Sequence, residues 1–176
     1  MIVNDFIYLS TVPQTADIAA YQLHCNNANV SQGVMTMPFP YTEMDAIRVL
    51  GLIADNNRKY PLPTQFIIRK RDTDEAIGAI GMLVRYGWES HKDEIGYWLS
   101  ESYWGRGWVT DAVKTLVNYA FEQRGLIRVE ARVFSFNKAS AKVLEKAGFD
   151  LEGVFRKNEA KHGVYHDGLM YAILKP

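Results

Sequence analysis

The stretch EIGYWLSESYWGRGWVTDA, Glu94 to Ala112, changes its period within itself. In DEIGYWLS the residues Ile95, Tyr97 and Leu99 alternate with Glu94, Gly96 and Trp98, the period of a strand. From Ala112 onward Ala112, Val113, Leu116, Val117, Ala120 and Phe121 recur at helical spacing, and Gly125 supplies a stop. Between the two lies WGRGW, with Gly105 and Gly107 flanking Arg106. A strand, a tight loop and a helix whose first N–H groups lack partners make a general anion site. They also make an ordinary strand-to-helix turn. The common nucleotide motifs do not fit. A Walker A loop needs Lys-Ser/Thr where Trp108 and Val109 stand, and a dinucleotide fingerprint needs a third glycine in an early βαβ unit.

Upstream, FIIRKRDTDEAIGAIGML places β-branched runs on either side of a polar turn, which predicts a hairpin. With the strand ending at Leu99 it forms an antiparallel meander. Earlier still, Thr15 to Cys25 and Asp45 to Ile53 carry helical patterns, the second between the proline pairs Pro38, Pro40 and Pro61, Pro63. Downstream, Arg128 to Val133 alternates, and a second helix opens at the N-cap residue Asn137 and ends at Gly148. Strands over Phe149 to Phe155 and Gly168 to Leu174 close the chain. The order predicts a mixed α/β layer fold on a mostly antiparallel central sheet of about 6–7 strands, as a single domain over 1–176.

The 176 residues carry 20 Lys and Arg against 20 Asp and Glu, so no global field recruits a polyanion, and direct nucleic-acid binding is not expected. No apolar run approaches the roughly 18–20 residues of a spanning helix, so no membrane partner is expected. One cysteine, Cys25, and an N-terminus without a basic, apolar leader fit a reducing cytoplasmic setting. His91, His162 and His166 match no ligand spacing, so no metal is expected.

EIGYWLSESYWGRGWVTDA and NKASAKVLEKAGF, Asn137 to Phe149, resemble the two main cofactor motifs of the GNAT superfamily of acetyl-CoA-dependent N-acetyltransferases. MPFPYT near Met37, EGVFRK at Glu152 to Lys157 and the final GVYHDGLMYAI are similar to its RimJ/RimL type. The resemblance implies the GNAT fold with two splayed central strands, acetyl-CoA as cosubstrate, and a primary amine as acceptor. That amine is a protein N-terminal α-amine or a small amine, such as a polyamine. Another class stays open: a CoA-binding sensor or scaffold without catalysis. The oligomeric state implied is monomer or homodimer.

Carried over by position, the backbone around Gly105, Arg106, Gly107, Trp108, Val109 and Thr110 holds the pyrophosphate, with Trp104 and Val109 departing from the usual polar and small residues. The strand end at Trp98 and Leu99 pairs with the pantetheine arm. The Leu99 N–H polarises the thioester carbonyl, and Asn137 bonds the arm from the other side. Ser140 approaches the thiolate. Glu94 is the candidate general base, since an ammonium with a pKa of roughly 8–10 must lose a proton. A strand glutamate facing solvent is its other reading. The position of the tyrosine acid found in many relatives holds Leu144, which leaves Tyr97, Ser140 or solvent for that role. Asp111 is expected to favour the helix N-terminus, and His166 with Asp167 to wall the acceptor site.

Overall fold

A computed structural model describes all 176 residues. Seven strands, β1 (Ile7–Ser10), β2 (Gln65–Lys70), β3 (Ala76–Val84), β4 (Lys92–Leu99), β5 (Arg128–Phe134), β6 (Asp150–Lys161) and β7 (Val164–Leu174), form one sheet in the order β1-β2-β3-β4-β5-β7-β6. Five helices accompany it: α1 (Ala16–Cys25), α2 (Ala28–Gly33), α3 (Glu43–Lys59), α4 (Trp108–Glu122) and α5 (Lys138–Lys146).

The alternation in each strand sorts the helices onto two faces. Phe66, Ile68, Ile80, Ile95 and Leu99 point to the face covered by α4 and α5, where Val113, Leu116, Ala120, Ala141 and Leu144 meet them. Ile67, Ala76 and Trp98 point to the other face, where Tyr21, Cys25, Ala46, Leu50 and Ile53 of α1 and α3 cover them. On that second face the fully buried Arg69 of β2 donates to both carboxylate oxygens of Asp17 on α1, at 2.7 and 2.6 Å.

Every neighbouring pair in the sheet is antiparallel except β4 with β5. That parallel pairing covers only Lys92–Ile95 against Arg128–Ala131, although β4 continues to Leu99 and β5 to Phe134. From Gly96 and Arg132 onward the two strands diverge. Their far halves stay paired on the outer sides, to β3 and to β7.

Several boundaries differ from the sequence expectation. Periodicity predicts neither β1 nor α2: four residues of IYLS at the sheet edge and six of ANVSQG are too short to show a period. α3 reaches Glu43–Lys59 rather than Asp45–Ile53, because a capping box between Thr42 and Asp45 starts it earlier. β6 and β7 extend into a longer hairpin whose tip uses left-handed backbone at His162 and Gly163.

Candidate functional site

The gap between β4 and β5 opens into a cleft of about 560 Å³ walled by α2, the loop after β4, and α5. Main-chain groups on a strand alternate between its two edges. Ser100 N donates to Ile77 O of the β3 side at 2.8 Å, so the N–H and C=O of Leu99 and Tyr97 face the gap. Past Ile95 no strand pairs with them there. The indole of Trp104 donates to Leu99 O at 2.8 Å and leaves the Leu99 N–H free. The tryptophan that departs from the family's polar residue therefore caps the strand end.

The loop that follows is shaped by two residues with positive φ, Gly105 at 76° and Gly107 at 80°. Gly107 is the N-cap of α4 and offers no side chain to the orphan amides. The first bond into the helix is Asp111 N to Gly107 O at 3.1 Å, and no N–H from Gly105 to Thr110 finds a protein acceptor. Six consecutive unpaired donors thus stand at the positive end of a fifteen-residue helix, and all of their residues but Arg106 line the cleft. Trp108, buried and stacked between Phe6 and Tyr103, anchors the loop from behind. Tyr103 in turn donates to Glu75 Oε2 at 3.1 Å, and Glu75 Oε1 lies 3.0 Å from His24 Nε2.

Opposite the loop stands the first turn of α5. Asn137 Oδ1 caps the helix by accepting from Ser140 N at 3.1 Å, while its Nδ2 donates to Gly33 O at 3.4 Å. One of its amide hydrogens remains for a ligand. The Ser140 hydroxyl lies 2.9 Å from the Tyr97 hydroxyl, which also donates to Ser140 O. Burial pushes the Tyr97 hydroxyl well above the ordinary tyrosine range, so it is protonated at neutral pH. The two hydroxyls form a hydrogen-bonded pair on residues that line the cleft.

The cleft therefore brings together Trp98, Leu99, Gly105, Gly107, Trp108, Val109, Thr110, Asn137 and Ser140. Three residues fall elsewhere: Arg106, Asp111 and Glu94. The Arg106 side chain turns away from the cleft, its guanidinium over the rings of Tyr103 and Trp108. Asp111 accepts from Asn4 Nδ2 at 2.9 Å and ties the N-terminal segment to α4.

Glu94 points to the sheet face of Trp98, below the divergence, and is neither solvent-facing nor in the cleft. Its Oε2 accepts from Arg85 Nη2 at 2.9 Å and its Oε1 from Arg132 Nε at 3.0 Å. Arg132 also reaches Glu159 Oε1 on β6, 3.4 Å away, which accepts from Asn158 Nδ2 at 2.8 Å. Glu159 Oε2 accepts no protein hydrogen bond. Sequence reasoning missed Glu159 because it sits in the register shift between Phe155 and Glu159, where alternation breaks.

It also missed α2, which closes the cleft from above. Asn27 and Asn29 tie α2 to Glu101 at 2.6 and 2.8 Å. The buried Lys161 donates to Ser31 O at 2.6 Å, to Met37 O at 3.1 Å and to Val34 O. Burial lowers the Lys161 ammonium below its ordinary range. Cys25 is buried, its thiol pushed up by desolvation, far from thiolate character. His166 lies edge-on to Phe134 and to Phe136, of which Phe136 lines the cleft.

A divergent strand pair running into a helix N-terminus of free amides sets an unpaired strand edge beside a cluster of main-chain donors suited to an anion. Residues 7–150 match the acetyltransferase (GNAT) domain model, and the chain belongs to that family. The N-acetyltransferase YoaA of Bacillus subtilis (strain 168), itself uncharacterised, is 38% identical over 109 residues, 62% of this chain and 61% of that protein. The chain thus spans about three fifths of that relative's length. The ribosomal-protein-serine acetyltransferase of Escherichia coli (strain K12) is 31% identical over 172 residues, 97% of this chain and 93% of that protein. This agrees with the RimJ/RimL resemblance of the motifs. Among solved structures, the microcin C7 self-immunity acetyltransferase MccE, in complex with acetyl-CoA and AMP, superposes with a TM-score of 0.85. It is 23% identical and covers 98% of this chain and 94% of its own.

Proposed function

We propose that this protein transfers the acetyl group of acetyl-CoA to a primary amine by direct attack, and that the acceptor is the N-terminal α-amine of a protein. The observation that carries the reading is the free β4 edge at Tyr97 and Leu99 leading straight to six unpaired amides. A pantetheine arm has the amide spacing to pair with such an edge, and a pyrophosphate has the charge for the loop. The long alignment with a ribosomal-protein acetyltransferase supports the protein acceptor.

The amine nitrogen attacks the thioester carbon, and the oxyanion that forms accepts from the Leu99 N–H. As the C–S bond breaks, the Ser140 and Tyr97 hydroxyls supply a proton to the thiolate. The ammonium proton leaves through water to the Glu94–Arg132–Glu159 unit. Both oxygens of Glu94 are engaged by arginines, so Glu94 orients Arg132, and the unengaged Glu159 Oε2 receives the proton.

The test is thiol release from acetyl-CoA with peptides bearing free N-terminal serine or alanine, against the same peptides blocked at the α-amine and against polyamines. Release with the free peptides alone supports the reading. Release with polyamines alone moves the acceptor to small amines. Acetyl-CoA binding without turnover on any amine overturns catalysis in favour of a CoA sensor.

A further inference from the structure

Lys138, Lys142 and Lys146 all line the cleft, on one side of α5. At 1.5 Å per residue the three ammonium groups span about 12 Å along the helix. The spacing is i, i+4, i+8, which puts them on one stripe. None has a carboxylate within ion-pair distance, whereas ten of the other seventeen Lys and Arg side chains do. The cleft contains no aspartate or glutamate among its 23 lining residues. A chain with no net charge has therefore gathered three unpaired cations, and no anions, on the wall facing the loop.

The loop amides need only one anion, and they account for the pyrophosphate. The lysines call for a second. Coenzyme A has one more phosphate, the 3′-monoester on its ribose, with close to two negative charges at neutral pH. We infer that the α5 lysine stripe binds this 3′-phosphate and makes the enzyme discriminate CoA from its 3′-dephospho form, with Lys142 and Lys146 as the main contacts. Lys138 sits in the same helical turn as Ser140, where the arm ends, so it stands nearest the acyl group rather than the ribose. The inference rests on placing the pyrophosphate at Gly105–Thr110. Arg106, the other cation of this region, is excluded as the reader because its guanidinium turns away from the cleft, over Tyr103 and Trp108.

Exposed lysine–phosphate contacts are individually weak, so two of them together give about a tenfold difference. The experiment is calorimetric titration of the full chain with CoA and with 3′-dephospho-CoA, for wild type, the double variant Lys142→Gln with Lys146→Gln, and Arg106→Gln. Wild type is expected to bind CoA about tenfold more tightly, with the ratio shrinking as salt is raised. The double lysine variant is expected to bring the ratio close to one by weakening CoA alone, and Arg106→Gln to leave it in place. Equal binding of the two ligands by wild type overturns the inference. So does a ratio kept by the lysine variant but lost in Arg106→Gln. Gly107→Glu separates the underlying placement: if it weakens both ligands alike, the loop holds their shared pyrophosphate. If it weakens neither, the placement fails, and the inference with it.

Discussion

Replacing Gly107 separates backbone shape from charge at the loop. Gly107 holds φ at 80°, and a Cβ built there meets nothing within 4 Å, so any side chain brings conformational strain but no clash. A left-handed residue other than glycine costs roughly 1–2 kcal/mol, in free and ligated protein alike. Gly107→Ala should therefore lower Tm by about 2–8 °C and change acetyl-CoA affinity little. Gly107→Glu carries the same strain and adds a carboxylate beside the six free amides. Two unit charges about 4 Å apart at an effective dielectric of 20 repel by about 4 kcal/mol. Movement of the introduced carboxylate toward solvent reduces this to about half, or roughly thirtyfold in Kd. Isothermal titration of both variants with acetyl-CoA at low and high salt reads the difference. A Gly107→Glu variant whose Kd stays within about threefold of that of Gly107→Ala would refute the placement of the pyrophosphate on this loop.

Three further outcomes are expected. Ser140→Ala should lower kcat by about tenfold to a hundredfold and leave acetyl-CoA binding intact, because it removes one hydroxyl of the pair with Tyr97; an unchanged kcat in steady-state kinetics clears it of a chemical role. Glu159→Gln should depress the rate at neutral pH, with recovery as pH rises past roughly 8, where the α-amine sheds its own proton. Glu94→Gln should show a milder form of the same profile, and a larger effect from Glu94 than from Glu159 would reverse the roles given to them. Asp17→Asn should cost about 3–5 kcal/mol in urea unfolding by leaving the buried Arg69 charge uncompensated, and a loss below about 1 kcal/mol would show that the site rehydrates.

Much of this architecture was legible because its central elements are long and periodic. The stripe from Ala112 to Phe121 faces the core along its whole length, and Asn137 and Gly148 bracket α5 as their cap chemistry dictates. The loop could be read as a candidate anion site beside an ordinary turn because its donors are main-chain groups, which survive the replacement by Trp104 and Val109. What escaped notice depends on contacts between distant segments. Glu94 reads as a general base or as a solvent-facing strand residue, and the buried third place that Arg85 and Arg132 give it depends on contacts no local pattern shows. Glu159 lies where the β6–β7 register slips, and α2 owes its place to Lys161 from 124 to 130 positions away. The lysine stripe was visible as spacing in KASAKVLEK, yet nothing in the sequence alone told which side of α5 lines the cleft.

The four-residue seam between β4 and β5 has a mechanical meaning. Four register pairs join the two halves of the sheet at their base, against seven between β5 and β7. The sheet is thus two plates sharing a short seam, and on the proposed placement a cosubstrate arm bonded to the β4 edge and to Asn137 is a strut across the open side. Loading it should slow amide exchange at Tyr97 and Leu99, and tighten the opposite plate where Glu159 and His166 stand. On the proposed reading, the acceptor wall takes its working geometry only once the acyl donor is in place.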